Sequence, residues 1–327
     1  MKVVVLRGAG GPDVLAIEER AALPLGEGEV RIEVAAAGLN RADLLQRRGL
    51  YPAPPGVAAD VPGLEYAGTI REVGEGVPSE RIGERVMGLV RGGAMATEVV
   101  VPAGETIPVP EPLSLEEAAA IPEVFATVWD AVWVQAGLRN GQSLLVHAIG
   151  SGIGTAAIQL AKAYGARIAG TSRTSSKLER ALAMGLDAGW VVEREPSFAA
   201  SVAELTGGAG VEVILDTVGA SYLEENVRAL AVRGTIVTIG LVGGVQGTLA
   251  LGMLLGKRAR IVGSTMRSRG AAERTALAEG FTRELVPLFE EKALVPVVDQ
   301  VLPMSEIARA HALLESNETF GKIVLTW

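Results

Sequence analysis

Short apolar runs alternate with polar turns over the first hundred residues of the chain. β-Branched residues are frequent in these runs, and glycine, proline and charged residues separate them, as in strands joined by turns. The predicted strands lie at residues 3–6, 30–34, 66–73, 85–90 and 97–101. Their spacing predicts a small barrel-like unit.

The pattern changes from residue 115 onward. Ser114 with Glu117 three positions later forms a capping-box pattern that predicts a helix start. Strand patterns then follow at residues 143–148, 167–172, 190–192, 211–218, 234–240 and 259–263. Helical patterns rich in Ala and Leu lie between most of them, at residues 155–164, 177–183 and 222–230. Such alternation predicts a parallel sheet that helices cover on both faces.

The last sixty residues predict a long helix over 271–292, a strand at 299–302, a helix at 306–315 and a strand at 322–327. We expect these elements to return to the first unit. The predicted fold class is therefore α/β, a doubly wound parallel six-stranded sheet together with a barrel-type domain. The predicted domains are residues 1–121, residues 122–267 and a returning segment, residues 268–327.

Composition and charge reduce the number of possible partners and kinds of active site. The formal net charge of the 327 residues is -8, with both signs mixed along the chain, which disfavours nucleic acid, RNA included, and an anionic membrane surface as partners. The absence of cysteine and the presence of only His147 and His311 exclude a disulfide framework, a thiolate nucleophile and an ordinary zinc site. Both histidines are predicted to be structural.

No targeting or membrane segment is predicted. The first apolar run ends after a few residues, unlike the core of a signal peptide, so we expect a cytoplasmic protein. The uncharged stretch 234–256 contains seven glycines, which favour buried strand and turn structure over a membrane span.

One glycine-rich turn joins the first strand of the parallel sheet to its helix. Residues 152–157, Gly-Ile-Gly-Thr-Ala-Ala, satisfy the G-x-G-x-x-A form of a dinucleotide-binding turn. Backbone N–H groups and the positive end of the helix dipole suit a pyrophosphate there. We therefore predict that Ser151, Gly152, Ile153 and Gly154 bind a dinucleotide. The alternative is that the glycines serve only close helix–strand packing.

The end of the second strand of this sheet distinguishes the two nicotinamide cofactors. An acidic residue there would hold a ribose 2′-hydroxyl, but none occurs before Glu179. Ser172, Arg173 and Lys177 offer hydroxyl and cationic donors that suit a 2′-phosphate. NADPH is therefore favoured over NADH, unless Arg173 and Lys177 are only solvated surface charges.

Two segments carry a family resemblance: Ala-Gly-Leu-Asn-Arg-Ala-Asp at 37–43 and Gly-Leu-Glu-Tyr-Ala-Gly at 63–68. They resemble the catalytic segments of the medium-chain dehydrogenase/reductase superfamily, whose zinc alcohol dehydrogenases carry cysteine and histidine ligands where this chain has Asn40 and Leu64. Neither side chain replaces those ligands, so no metal is expected. With residues 48–56 and 147–154, the chain resembles the zinc-free, zeta-crystallin-like NADPH:quinone oxidoreductases.

The resemblance implies a GroES-like catalytic domain, a Rossmann domain and hydride transfer from NADPH to a small-molecule quinone or enone. It places Asn40 and Tyr51 beside nicotinamide and substrate, where either could hydrogen-bond the acceptor oxygen. It also places Thr127 near the cofactor and Asn317 at the edge of the same cleft. Alternatively, Asn40 satisfies the backbone hydrogen-bonding groups of a turn, and Tyr51 anchors a loop. Asp43 and Glu65 are predicted to be structural.

Other functions remain open at this point. A 2-alkenal, enone or enoyl-thioester reductase could use the same scaffold, and an NADPH-binding sensor or structural protein would show little turnover. An apolar edge at the last strand of the parallel sheet, near residues 258–264, predicts a homodimer in which two subunits join into one continuous sheet.

Overall fold

The structure is a computed structural model that describes residues 1–192 and 196–327. It divides the chain into two compact units. The mixed-sheet unit contains Met1–Ala126 and Met266–Trp327, and the parallel-sheet unit contains Thr127–Thr265. The changes of unit thus fall after Ala126 and after Thr265, whereas the sequence placed them after residues 121 and 267.

The strands, in chain order, are β1 (Lys2–Leu6), β2 (Leu15–Glu19), β3 (Glu29–Leu39), β4 (Glu65–Val73), β5 (Arg85–Leu89), β6 (Glu98–Pro102), β7 (Thr106–Pro108), β8 (Ser143–Val146), β9 (Arg167–Ser172), β10 (Ala188–Val191), β11 (Val211–Asp216), β12 (Leu230–Thr238), β13 (Arg260–Gly263), β14 (Val298–Pro303) and β15 (Lys322–Thr326). The short strands β2 and β7 were not predicted from the sequence.

The helices are α1 (Arg41–Arg47), α2 (Leu115–Ala118), α3 (Pro122–Trp129), α4 (Gly152–Ala163), α5 (Ser175–Ala183), α6 (Ala199–Leu205), α7 (Leu223–Ala229), α8 (Leu251–Lys257), α9 (Ala271–Glu284), α10 (Val286–Glu290) and α11 (Ile307–Ser316). A π-helical segment, Asp130–Gln135, follows α3. None of the helices that the structure describes is both long and apolar enough to cross a membrane.

The prediction of one helix over 271–292 was wrong. Two helices, α9 and α10, occupy this region, and the break falls at Leu285. Pro287 explains the break because its ring lacks an N–H for the helical hydrogen bond and crowds the preceding turn. It is tolerated in the first turn of α10, where no intrahelical partner is needed.

The mixed-sheet unit is organised around the long strand β3. Seven strands form one sheet in the order β14-β15-β3-β4-β5-β7, and β6 pairs with β3 beside this path. Alternate residues of β3, including Val30, Ile32 and Val34, are buried against Tyr66 and Ile70 of β4, as one-sided burial of a strand requires. The carboxyl end of β3 lies between β4 and β15, so residues after Leu39 meet the starts of both strands.

The parallel-sheet unit confirms the predicted doubly wound, six-stranded parallel sheet. Its order is β10-β9-β8-β11-β12-β13, which is 3-2-1-4-5-6 when the strands are counted from β8. Strand order therefore reverses between β8 and β11, and ligands of such sheets bind outside the carboxyl ends of the strands at this point. Residues 147–151 directly follow β8, so the predicted phosphate turn lies at the switch point.

Candidate functional site

The turn after β8 has the geometry of a phosphate-binding turn. Ser151 is the N-cap of α4, and its Oγ accepts a hydrogen bond of 3.2 Å from the Gly154 N–H. The N–H groups of Gly152 and Ile153, the two residues between Ser151 and Gly154, belong to the first turn of the helix. No carbonyl of the helix can accept hydrogen bonds from them. A pyrophosphate group would supply the missing acceptors.

Close backbone packing explains why residue 154 is glycine. A Cβ atom at this position would lie 2.0 Å from the carbonyl oxygen of Ile149, far inside van der Waals contact. The glycine therefore lets α4 start directly against the turn that follows β8. Close helix–strand packing is thus observed at this turn, and dinucleotide binding by its residues stays a prediction.

Lys177 lies against this turn. A Cβ atom on Gly150 would be 2.9 Å from Lys177 Cδ, so the aliphatic part of the lysine covers the glycine. Arg173 is exposed near the end of β9. Ser172 is buried, and its Oγ accepts a hydrogen bond of 3.2 Å from the Thr174 N–H. The structure thus brings Lys177 to the turn and uses Ser172 to shape the loop between β9 and α5.

His147, at the start of the turn, is held inside the unit. Its Nδ1 lies 2.9 Å from Thr171 Oγ1 and its Nε2 lies 2.7 Å from Asn226 Oδ1. Burial lowers the pKa of His147 to about 4, so the ring is neutral at pH 7. These contacts give it a packing role, as the sequence predicted.

A buried polar network in the mixed-sheet unit surrounds Asn40. Lys322 Nζ lies 2.7 Å from Glu65 Oε1 and donates hydrogen bonds to Asn40 Oδ1 (2.6 Å) and the Leu39 carbonyl (2.8 Å). Asn40 Nδ2 donates to Glu65 Oε1 (2.8 Å) and to the Gly38 carbonyl (3.3 Å). The side-chain amide of Asn40 is therefore engaged at both ends.

Strand register creates this network. Ile323 of β15 pairs with Leu39 of β3, so Lys322 begins β15 beside Asn40, which follows β3. Glu65 begins β4 on the other side of β3. Gly38 makes room for the carboxylate, because a Cβ atom there would lie 2.2 Å from Glu65 Oε1.

Asp43 joins two backbone segments beneath this network. Its Oδ2 accepts a hydrogen bond of 2.8 Å from the Asn40 N–H at the start of α1, and its Oδ1 accepts one of 2.9 Å from the Gly63 N–H. Burial raises the pKa of Asp43 to about 6, and the two N–H donors limit the rise. These partners support the predicted structural role.

Arg267 connects the segment that carries Tyr51 to two others. Its guanidinium group donates to the carbonyl of Tyr51 (3.2 Å), the carbonyl of Arg91 (2.7 Å) and Gln46 Oε1 (2.8 Å). The guanidinium carbon also lies 5.0 Å from the centre of the Tyr51 ring, within cation–π range. This buried arginine therefore sets the position of the Tyr51 loop.

A small cavity of about 30 Å³, room for about two water molecules, lies inside the mixed-sheet unit. Its wall is mainly apolar and includes Leu64, Leu89 and Met266, and the charged side chains on it include Glu123 and Arg267. Burial raises the pKa of Glu123 to about 8, and the negative charge of nearby Glu65 adds to the rise. This carboxyl group is therefore mostly protonated at pH 7.

The remaining predicted residues lie as follows. Thr127 is a buried residue of α3 and the first residue of the parallel-sheet unit. Asn317 caps α11 in the left-handed conformation, accepts a hydrogen bond of 2.6 Å from Arg41 Nη2 and donates one of 2.8 Å to the Glu315 carbonyl. Asn40, Tyr51 and Asn317 all belong to the mixed-sheet unit.

Sequence reasoning missed Lys322, Arg267 and Glu123. Lys322 and Glu123 each stand as a single charge within an apolar run, which is a weak signal of a buried polar partner. Arg267 lies in a short polar segment after β13 and gives no comparable signal. Within residues 1–192 and 196–327, no group of three His, Cys, Asp or Glu side chains is arranged to hold a metal ion.

Comparison with known families and proteins places this geometry in context. Residues 26–111 match the alcohol dehydrogenase GroES-like domain, and residues 152–281 match the zinc-binding dehydrogenase domain. A quinone oxidoreductase of Salmonella typhimurium is 34% identical over 97% of this chain and 96% of its own length. The synaptic vesicle membrane protein VAT-1 homolog of Mus musculus is 30% identical over 99% of this chain and 83% of its own.

Solved structures agree with these matches. The Escherichia coli quinone oxidoreductase complexed with NADPH has a TM-score of 0.89 and 30% identity, and the match covers all of both chains. An NAD-dependent alcohol dehydrogenase has a TM-score of 0.86 and 35% identity over all of both chains. The JamJ enoyl reductase has a TM-score of 0.90 and 25% identity over 99% of this chain and 98% of its own. The predicted GroES-like domain is confirmed.

The buried Glu65–Lys322 pair generates a stability prediction. Lys322→Met should lower the free energy of unfolding by about 3–5 kcal/mol, because it leaves the Glu65 carboxylate buried without its cation. Urea denaturation at pH 7 measures the change. Arg309→Met is the control: it removes the exposed pair with Glu306 and should change the free energy of unfolding by less than about 1 kcal/mol. Equal changes in the two variants would contradict the prediction.

Proposed function

Because the chain belongs to the zinc-free, quinone oxidoreductase-like family of medium-chain dehydrogenases/reductases, we propose that it reduces quinones with hydride from NADPH. The observation that carries the proposal is the turn at Ser151–Gly154, which presents backbone donors at the switch point of the sheet. When bound, NADPH supplies the hydride. The protein contributes binding, orientation and electrostatic stabilisation of the reduced acceptor.

The cofactor contacts in this proposal come mainly from the parallel-sheet unit. The N–H groups of Gly152 and Ile153 and the hydroxyl group of Ser151 face the pyrophosphate, and Gly154 lets the helix start close to it. Arg173 and Lys177 hold the 2′-phosphate, and Lys177 already lies against the turn at Gly150. Ser172 shapes the loop that carries Arg173. Thr127 and Asn317 complete the proposed cofactor contacts.

The acceptor contacts come from the mixed-sheet unit. Tyr51, whose ring lies against the Arg267 guanidinium, donates a hydrogen bond to the acceptor oxygen as negative charge develops there. Asn40 acts as a positioning residue, because Glu65, Lys322 and Gly38 already engage its amide.

Reduction of a 2-alkenal, enone or enoyl thioester is the second candidate. The likeness to the JamJ enoyl reductase favours it, and its chemistry also sends hydride to a conjugated acceptor. An NADPH-binding sensor or structural protein would have the same turn but would turn over neither acceptor.

Acceptor preference tests the proposal. With an ortho-quinone, absorbance should show faster NADPH oxidation than with a short 2-alkenal, because the quinone accepts hydride more readily. NADH serves as the control cofactor. A preference for the alkenal would move the assignment to enone reduction, and tight NADPH binding without turnover of either acceptor would reject an enzymatic role.

Replacement of Arg173 and Lys177, the two cations after β9, tests the preference for NADPH over NADH. The Arg173→Ala/Lys177→Ala variant should bind NADPH about 10–100-fold more weakly while its NADH affinity changes little, because each lost cation removes a charge-assisted contact with the 2′-phosphate alone. Quenching of protein fluorescence measures both dissociation constants. Lys162→Ala, at the opposite end of α4, is the control. Equal weakening for NADPH and NADH would show that these cations do not contact the phosphate.

We also propose that two copies pair through β13. This strand lies at the edge of the parallel sheet, so one side of its backbone is available to a second copy. Ile261 on the strand is 39% exposed, and Leu255 on the neighbouring α8 is 78% exposed. Pairing of two such edges would bury these side chains and extend the sheet.

The dimer proposal predicts the effect of a charge on this edge. Sedimentation equilibrium should give twice the chain mass of 33.9 kDa, and Ile261→Lys/Leu255→Lys should give the monomer mass, because buried lysines would be unpaired. Ile17→Lys is a matched control: Ile17 is also an exposed strand residue, 40% accessible, but lies on β2. A wild-type monomer would reject the proposal.

A further inference from the structure

Ala148, the second residue after β8, has a backbone conformation that alanine rarely adopts. Its φ of +55° lies in the left-handed region, where the Cβ atom of an L-residue crowds the following carbonyl oxygen. Asparagine and aspartate can reduce this cost with a local hydrogen bond, but a methyl group cannot. The methyl group of Ala148 is also exposed, so side-chain packing does not hold it. Contacts of the neighbouring residues must therefore keep the turn in this shape.

Thr171 of β9 holds the residues on both sides of Ala148. Its Oγ1 lies 2.9 Å from His147 Nδ1, and its carbonyl oxygen accepts a hydrogen bond of 2.9 Å from the Ile149 N–H. One strand residue thus fixes the side chain before Ala148 and the backbone after it. Ala148 can leave the left-handed region only when one of these two contacts breaks.

The ring of His147 is fixed by several elements of the parallel-sheet unit. Its Nε2 lies 2.7 Å from Asn226 Oδ1 on α7. Because Oδ1 can only accept, Nε2 carries the ring hydrogen and Nδ1 accepts from the Thr171 hydroxyl group. The ring of Tyr222 packs edge-on against His147 at 4.8 Å between centroids, and the ring of Phe198 lies at 5.0 Å. The imidazole therefore has little freedom to move.

The conformation of Ala148 also sets the start of α4. The Ala148 carbonyl accepts a hydrogen bond of 2.9 Å from the Ser151 N–H, and Ser151 is the N-cap of the helix. A rotation at Ala148 would turn this carbonyl away and move the cap. The N–H groups of Gly152 and Ile153, which follow the cap, would move with it.

We propose that His147 is a positioning residue for the cofactor. Its ring, held by Thr171 and Asn226, keeps Ala148 in the left-handed conformation and so keeps the N–H groups that follow Ser151 aimed at the pyrophosphate. The assignment rests on the proposed function, which places the pyrophosphate at this turn. His147 is fully buried, so it acts through the backbone of the turn and not by contact with the cofactor.

Two variants release the His147 ring in different ways. Thr171→Val removes the hydroxyl group but keeps the carbonyl that holds Ile149, and His147→Phe keeps an aromatic ring but removes both polar contacts. Each should bind NADPH about 5–30-fold more weakly, the factor that corresponds to the left-handed penalty of alanine, because binding must then restore the turn. NADH should lose affinity by the same factor, because both cofactors contain the pyrophosphate. Calorimetric titration measures the dissociation constants.

Ala148→Gly distinguishes positioning of the turn from general support of the fold. Glycine enters the left-handed region without a Cβ penalty, so it should restore much of the NADPH affinity that Thr171→Val and His147→Phe lose. The gain in affinity should be at least about threefold larger in these two backgrounds than in the wild type, where His147 already holds the turn. A purely structural role of His147 gives no such dependence on residue 148.

Thr235→Val is the matched control. It makes the same replacement at another buried threonine of the same sheet, whose Oγ1 accepts a hydrogen bond of 3.1 Å from Arg260 Nε. Thr235 lies level with Leu144, near the start of β8, whereas Thr171 lies level with His147, after the end of β8. Thr235→Val should leave the affinities for NADPH and NADH unchanged.

Three results would overturn the positioning role of His147. They are full NADPH affinity in Thr171→Val and His147→Phe, an equal loss of affinity in Thr235→Val, and an effect of Ala148→Gly that is the same in every background. If His147→Phe does not fold, Thr171→Val with and without Ala148→Gly decides the matter alone.

Ile153→Asp tests the proposed cofactor turn separately. An acidic residue in the first turn suits the helix dipole but repels a pyrophosphate, so this variant should fold and lose NADPH binding. If Ile153→Asp binds NADPH as tightly as the wild type does, the proposed cofactor turn is wrong. If Ile153→Asp loses binding while Thr171→Val and His147→Phe keep it, only the role of His147 is wrong.

Discussion

The ion pair between Glu65 and Lys322 determines the arrangement of the mixed-sheet unit around the proposed acceptor site. Both groups are buried, and a buried charge is tolerated only when a partner and hydrogen bonds replace water. Lys322 bonds Glu65, Asn40 and the Leu39 carbonyl, while Glu65 also accepts from Asn40 and from the Glu123 N–H. The pair therefore fixes where β3, β4, β15 and α3 meet.

In the zinc alcohol dehydrogenases that the two catalytic segments resemble, metal ligands occupy the positions of Asn40 and Leu64. Here an amide that is already engaged and an apolar side chain stand there. The polar network holds the same backbone segments by charge and hydrogen bonds, and Leu64 forms part of an apolar cavity wall. Chemistry at this site then depends on hydrogen-bond donors, of which Tyr51 is the proposed one.

The two carboxyl groups on the cavity wall have different surroundings. Glu105 accepts two hydrogen bonds from the Arg274 guanidinium group. Glu123 has no such partner and lies near Glu65 and Asp43, so its neutral form is favoured.

The parallel sheet and the glycine-rich turn between β8 and α4 could be predicted from the sequence, because each depends on residues within one or two neighbouring elements. Hydrophobic periodicity marks β8 and α4, and the glycines at 152 and 154 mark the turn between them. Composition alone excluded a cysteine-based site. The break between α9 and α10 was missed although Pro287 was visible, because the apolar periodicity around it outweighed a single residue.

Only the tertiary structure brought Lys322 to Glu65, Arg267 to Tyr51 and Glu123 to the cavity. These partners are far apart in the chain, and strand register, not local sequence, decides which of them meet. The pKa of Glu123 likewise depends on burial and on charges from other strands. The sequence by itself therefore determined the kinds of element and the glycine-rich turn, whereas the tertiary structure decided which polar groups are buried and which partners they meet.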